Sequence, residues 1–130
     1  MKVQKDTIGV GFIGAGDISI LHAKAIKKCP GAKLVGLWNR NQERANERAA
    51  QFGCKNYASP EALVKDPNID AVFVLTNLES HCEYTKLALH YGKQVLVEKP
   101  VGVNVAELEE MKKLAAPKNL VVMPGHNYIY

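Results

Sequence analysis

Short apolar runs recur along the chain at intervals filled by amphipathic stretches. The runs are "IGVGFI" 8–13, "KLVGLW" 33–38, "AVFVL" 71–75, "QVLV" 94–97 and "LVVM" 120–123. They are β-branched rich and nearly continuous rather than alternating, the pattern of strands covered on both faces. Between them, Ile18, Leu21, Ala25 and Ile26 keep helical spacing until "CPG" stops it at Pro30 and Gly31. The stretch 41–53 is rich in helix formers and closes on Gly53, a C-cap residue. A short strand around Asn56 and Tyr57 precedes "SPEALVK", with Ser59 as N-cap and Pro60 in the first helical position. Further helices are predicted over 80–91, ending at Gly92, and over 105–116, opened by Asn104 and Glu107 in capping-box spacing.

Strands alternating with helices through short connections predict right-handed βαβ units. The expected fold class is α/β, a doubly wound parallel sheet of Rossmann type in a single domain. We expect that domain to fill 1–124, with 125–130, from "GHNYIY", beginning a hinge toward something else.

Composition narrows the class. With 47% hydrophobic and 23% charged residues the chain is in the globular range, and no segment approaches the ~20 unbroken apolar residues of a membrane span. Asp6 and four glycines interrupt what would have to be a signal peptide's apolar region, so the start reads as mature and cytoplasmic. Cys29, Cys54 and Cys82 are odd in number and form no C-x-x-C pair, which argues against a disulfide framework or a cysteine-built metal site. The net charge of +4 is dispersed through helical stretches beside glutamates, with no single-signed, aromatic-interleaved stripe for nucleic acid.

Two overlapping glycine patterns compete near the N-terminus. Gly9, Gly11 and Gly14 form a complete G-x-G-x-x-G; Gly14, Gly16 and Ser19 form an imperfect one. A dinucleotide fingerprint works where a strand ends and a helix begins, because backbone N–H groups and the helix's positive end there meet the pyrophosphate. Gly9 and Gly11 lie within the first strand, where they let a neighbouring helix approach the sheet. Gly14, Ala15 and Gly16 follow the strand's last apolar residue and precede the helix containing Asp17 and Ile18. This second register is the expected cofactor loop, with Ser19 as the small residue for close packing.

At the end of the second strand, where an acidic residue usually takes the ribose 2′-hydroxyl, stands Asn39. An amide can bond a hydroxyl but lacks the charge that excludes a 2′-phosphate. Arg40 beside it can stack on adenine or pair with that phosphate. The expected cofactor is therefore NAD or NADP, with a lean toward tolerating NADP.

"GKQVLVEKP", Gly92 to Pro100, ends a strand in a carboxylate, an ammonium and a proline at the sheet's carboxyl edge. Together with "GFIGAGDIS", "NRNQERA" and the spacing of Thr76, His81 and Glu83, it resembles the N-terminal half of the Gfo/Idh/MocA oxidoreductase family over essentially the whole chain. The resemblance implies Lys99 as the catalytic lysine, Glu98 orienting it or touching the cofactor, and Pro100 fixing the turn. It also implies contacts to the nicotinamide ribose from Thr76 and His81, and Asn127 near the nicotinamide. "TNLESH" departs from the family's usual pattern, with Asn77 and Leu78 where proline and asparagine are common. His22 reads as packing or surface, and His90 as a helix C-terminal residue.

The implied activity is NAD(P)-dependent hydride transfer to or from a sugar, cyclitol or nucleotide-sugar carbon, in a homo-oligomer whose second, substrate-binding α/β domain is absent here. The chain by itself is expected to bind cofactor without full activity. A regulatory module that senses a dinucleotide is the alternative; it needs the glycine loop but has no use for Lys99. A third reading is a doubly wound domain for another nucleotide, which would not bind NADH.

Overall fold

The computed structural model describes residues 7–76, 78–98, 113 and 122–125, and for 78–82, 97, 98 and 122–125 the backbone alone. The predicted helix over 105–116 therefore lies outside the described residues, apart from Lys113, which is helical.

Six strands form one sheet: β1 Ile8–Ile13, β2 Ala32–Trp38, β3 Lys55–Asn56, β4 Ala71–Val74, β5 Gln94–Glu98 and β6 Val122–Gly125. Their order is β3-β2-β1-β4-β5-β6 and every adjacent pair is parallel. Parallel neighbours require crossovers, and α1 Asp17–Lys27, α2 Gln42–Phe52, α3 Pro60–Lys65 and α4 Leu78–His90 provide four of them. β6 runs two residues past the end of its apolar run, taking in Pro124 and Gly125. A proline is tolerated there because, among the described residues, β6 is the edge strand and has no outer neighbour awaiting its N–H.

The period-2 alternation of β1 divides the core. Val10 and Phe12 point to one face and pack with Ile26, Leu37, Ala45 and Ala49, beneath α1 and α2. Ile13 points to the other and packs with Leu63, Val64, Ile69, Val72, Val74, Ala88 and Leu89, beneath α3 and α4. Both faces are dry, which is why the strands read as continuous apolar runs. Ala45 and Ala49, one helical turn apart, are buried where α2 meets the sheet; larger side chains there would push the helix outward.

Gly9 and Gly11 serve this packing, as expected, though by different routes. A Cβ on Gly11 would lie 2.8 Å from side-chain atoms of Leu63, on α3, and of Ile69. At Gly9 the close neighbour is a loop rather than a helix: a Cβ would stand 1.9 Å from the Asn68 carbonyl oxygen.

Helix ends follow local chemistry. Asn41 accepts the Arg44 N–H at 3.1 Å and Ser59 accepts the Ala62 N–H at 3.0 Å. Gly53 ends α2 at φ 71° and Gly92 follows α4 at φ 78°, the left-handed conformation glycine adopts most readily. α1 differs from α2 and α3: its N-cap, Gly16, provides no side-chain bond.

Two buried polar side chains, Asp70 and Lys93, are bonded at the amino edge of the sheet. The Asp70 carboxylate accepts the Gly9 N–H at 2.9 Å, and Lys93 Nζ donates to the carbonyls of Asp66 and Ile69. The Tyr57 hydroxyl donates to the Asp66 carboxylate, with Lys55 Nζ 3.9 Å from the same carboxylate. These bonds tie the strand entrances together.

Candidate cofactor site

The site grows from the sheet's order. β1 sends its connection to β2 on one side while β4 lies on the other, so a crevice opens beyond their carboxyl ends. Gly14 occupies it. Its N–H donates to the Trp38 carbonyl at 2.8 Å, and next to it the Leu75 N–H donates to the Ile13 carbonyl at 2.8 Å. The loop is thus pinned to the ends of β2 and β4 together.

Gly14 and Gly16 are glycines for different reasons. Gly14 has φ +111°, and a Cβ would sit 2.8 Å from the Leu75 carbonyl carbon and 2.9 Å from the Thr76 nitrogen. Its identity is fixed by the protein's own backbone. Gly16 has φ −77°, which any residue adopts, and a Cβ there would meet nothing within 4 Å. The fold itself gives no reason for a glycine. The first-turn N–H groups of an α-helix lack i−4 partners; in α1 that of Ser19 turns back to the Gly16 carbonyl at 3.0 Å, and no side chain caps the helix start. Open space at a positive helix end without a side-chain cap fits a pyrophosphate.

The remaining residues of the loop are braced from behind. Ser19 is fully buried and its Oγ donates to the Gly16 carbonyl at 2.6 Å, which fixes the first turn of α1. Ala15 is fully buried, and Ile18 packs half-buried against the α1/α2 core. Asp17 is exposed at the start of α1.

Asn39 is placed beside this loop, and its oxygen is directed inward. Oδ1 accepts the Ala15 N–H at 3.0 Å and Nδ2 donates to the Asn41 carbonyl at 3.0 Å. Gln42 Nε2 donates to the Asn39 carbonyl at 2.7 Å, closing the turn into α2. Sequence alone offered Asn39 as a partner for ribose; the structure adds that it braces the glycine loop. Arg40 is exposed at the edge of a groove of about 700 Å³ whose lining includes Trp38, Glu61, Glu83 and Tyr84.

One residue that holds the loop gives little sign of it in the sequence. Arg48, on α2, donates from Nε to the Ala15 carbonyl at 3.1 Å and pairs through a terminal nitrogen with Asp17 at 3.2 Å. It holds the loop's outer strand and offsets the one negative charge at the N-terminus of α1. The available signal was its place next to Ala49 on the sheet-facing side of α2, where a half-buried arginine needs acceptors.

Thr76 follows β4 directly beside Gly14. The backbone of His81 lies in the first part of α4, and Glu98 ends β5 in register with Gly125 of β6. Lys99, Pro100 and Asn127, like the side chains of His81 and Glu98, lie outside the described residues.

A family model described as the oxidoreductase family with NAD-binding Rossmann fold, Gfo/Idh/MocA, matches residues 8–126. The chain belongs to this family. It is 30% identical over 119 residues to the myo-inositol 2-dehydrogenase of Thermotoga maritima, covering 91% of this chain and 36% of that protein. It is 35% identical over 116 residues to the trans-1,2-dihydrobenzene-1,2-diol dehydrogenase of Mus musculus, covering 87% and 35%. Among solved structures, the biliverdin reductase of Synechocystis in complex with biliverdin and NADP+ superposes with TM-score 0.85 at 27% identity, covering 90% of this chain and 37% of that one. An NAD-binding protein from Listeria innocua gives 0.87 at 30%, covering 93% and 35%. The Gfo/Idh/MocA chain thus spans little more than a third of the length of these relatives, and the part it spans is their NAD(P)-binding Rossmann domain. Among the described residues no helix is long and apolar enough to cross a membrane.

Proposed function

We propose that this chain is the cofactor-binding part of an oxidoreductase that moves hydride between NAD(P) and a hydroxyl or carbonyl carbon of a sugar, cyclitol or nucleotide sugar. The observation that carries the reading is Gly16: a glycine without a conformational or packing reason, at an uncapped helix end in the crevice between β1 and β4. The names of the relatives, among them dehydrogenases of myo-inositol, UDP-N-acetylglucosamine and glucose-6-phosphate, support the substrate class. The free thiols of Cys29 and Cys54 accord with a cytoplasmic setting, and the family resemblance is the ground for a homo-oligomer.

In this reading the loop from Gly14 through Ala15 and Gly16 to Asp17 and Ile18 cradles the pyrophosphate. Asn39 and Arg40 attend the adenosine end; Thr76, His81 and Asn127 attend the nicotinamide ribose and ring. The nicotinamide, when bound, supplies or takes the hydride. In the sequence Lys99 comes immediately after Glu98, the last residue of β5. Its Nζ donates a proton toward the substrate's carbonyl oxygen in reduction, or stabilises the alkoxide in oxidation, with Glu98 holding it in place. In this reading most of the whole enzyme's substrate contacts come from a second domain of the kind the family carries.

Fluorescence titration of the chain with NADH and NADPH tests the cofactor step. Saturable binding of at least one is expected, together with its loss in Gly16→Asp at an unchanged melting temperature, because a carboxylate would occupy the anion's place. Failure of both dinucleotides to bind would sink the reading.

A further inference from the structure

We infer that the groove between α1 and the end of α2, at the amino edge of the sheet, binds a small amphipathic anion: a carboxylate head on an apolar tail. This groove adjoins the start of β2, whereas the glycine loop adjoins its end, so the inference goes beyond the cofactor reading and does not rest on it.

The groove follows from how the two helices are joined. Arg48 bridges α2 to the start of α1 through Asp17. Further along, between the second half of α1 and the last residues of α2, a volume of about 450 Å³ stays open. That is within the range of small-ligand pockets, roughly 300–1,000 Å³.

Its floor is apolar and still in contact with water. Ile20 and Ala23 of α1, Leu34 of β2 and Phe52 of α2 line it, and all four are half-buried. Ala23, Leu34 and Phe52 pack against the α1/α2 core on their inner side. Covering the part that remains exposed with an apolar tail is favourable by ordinary hydrophobic burial.

Its rim offers hydrogen-bond donors. Lys24, Lys27, Lys33 and Gln51 line the groove. The Gln51 oxygen already takes an Arg48 N–H at 3.2 Å, which leaves its amide hydrogens to give. Among the described residues no carboxylate lines the groove, and none of the three lysines is in an ion pair. Lys24 and Lys27, in the last turn of α1, also offset that helix's dipole. Lys33 stands on a strand, where no such account applies. The groove beside Arg40 differs, because Glu61 and Glu83 line it. Ammonium groups without carboxylates select an anion, and the apolar floor selects one that carries a tail over a bare inorganic ion.

The test is calorimetric titration of the intact chain with decanoate, kept below its micellar concentration. One saturable site is expected. Octanoate, two methylenes shorter, should bind roughly tenfold more weakly, since a buried methylene contributes about a factor of three to four. Decyltrimethylammonium, with the same tail and the opposite charge, should not compete. In Lys27→Glu/Lys33→Glu the affinity for decanoate should fall more than tenfold, with the circular-dichroism melting curve unchanged. Ala23→Leu, which fills the floor and keeps the charges, should weaken decanoate by a similar factor. Absence of saturable binding, no dependence on tail length, equal binding of the cationic amphiphile, or an affinity untouched by both variants overturns the inference. Sedimentation that finds a dimer of this chain, dissociated by the same charge variant, also overturns it and gives the groove to a second copy.

Discussion

Gly14 shows how much a single position can carry. Its φ of +111° and the 2.8 Å separation from backbone atoms of Leu75 act together, so a methyl group can escape neither by rotation nor by a neighbour's side chain moving. Gly14→Ala should therefore cost about 2–3 kcal/mol, more than left-handed strain alone, which is of order 1 kcal/mol. Urea unfolding should show this as a lower midpoint. Gly16→Ala, two residues on, should leave the midpoint within about 0.5 kcal/mol, because its Cβ enters open space at an ordinary φ. The contrast separates a glycine that the fold requires from one that it does not.

Among elements, α2 does two jobs. Through Ala45 and Ala49 it closes one face of the sheet, and through Arg48 it grips the loop that precedes α1. Removing the grip should affect binding more than stability, since the Arg48–Asp17 pair is open to water on its Asp17 side. Arg48→Ala is expected to weaken dinucleotide binding roughly threefold to tenfold by loosening the cradle and exposing the anion to Asp17. Calorimetric titration beside a melting curve checks this; a large loss of melting temperature with unchanged affinity would contradict it. α1, whose start is capped by a glycine, is the element best suited to gain order when an anion arrives. Its counterparts α2 and α3 already have Asn41 and Ser59 at their starts.

At the scale of the whole molecule, the two edges of the sheet divide the labour. The carboxyl edge holds the uncapped helix end and the loop; at the amino edge Asp70 bonds the Gly9 N–H, Lys93 bonds the Asp66 carbonyl, and the Asp66 carboxylate takes the Tyr57 hydroxyl. The Tyr57 hydroxyl bond lowers the Asp66 pKa below the ordinary carboxylate range, with the Asn68 N–H and the charges of Lys55 and Lys93 helping; burial and the Asp66 bond push Tyr57 up. A carboxyl group whose pKa is lowered on folding stabilises the fold above its unfolded pKa, and that contribution is lost as pH falls through the folded value. Tyr57→Phe removes the largest cause. The acid-unfolding midpoint should move to higher pH, and stability at neutral pH should drop by about 1.5 kcal/mol, a charge-assisted bond's typical worth. Fluorescence-detected acid titration of both proteins measures each effect.

Much of this was legible without coordinates. Continuous apolar runs fixed the strands because both faces of a parallel sheet are dry, and Gly53, Ser59, Pro60 and Gly92 punctuated the helices through local backbone preferences. The place of Gly14 and Gly16 between a strand end and a helix start was legible for the same reason, because the order of elements along the chain supplies it. The roles of Asn39 and Arg48 were not legible. Whether an amide faces a ribose or a backbone N–H 24 residues away depends on how α2 and the loop converge in space, and one-dimensional spacing does not encode it. Nor could sequence separate Gly14 from Gly16, which look alike as letters and differ in what surrounds them. The sequence by itself determined the doubly wound sheet, the family and the location of the loop, because those follow from local periodicity and chain order. Only the tertiary structure decided which loop donors are engaged and which face open space, since that is settled by atoms brought together from distant parts of the chain.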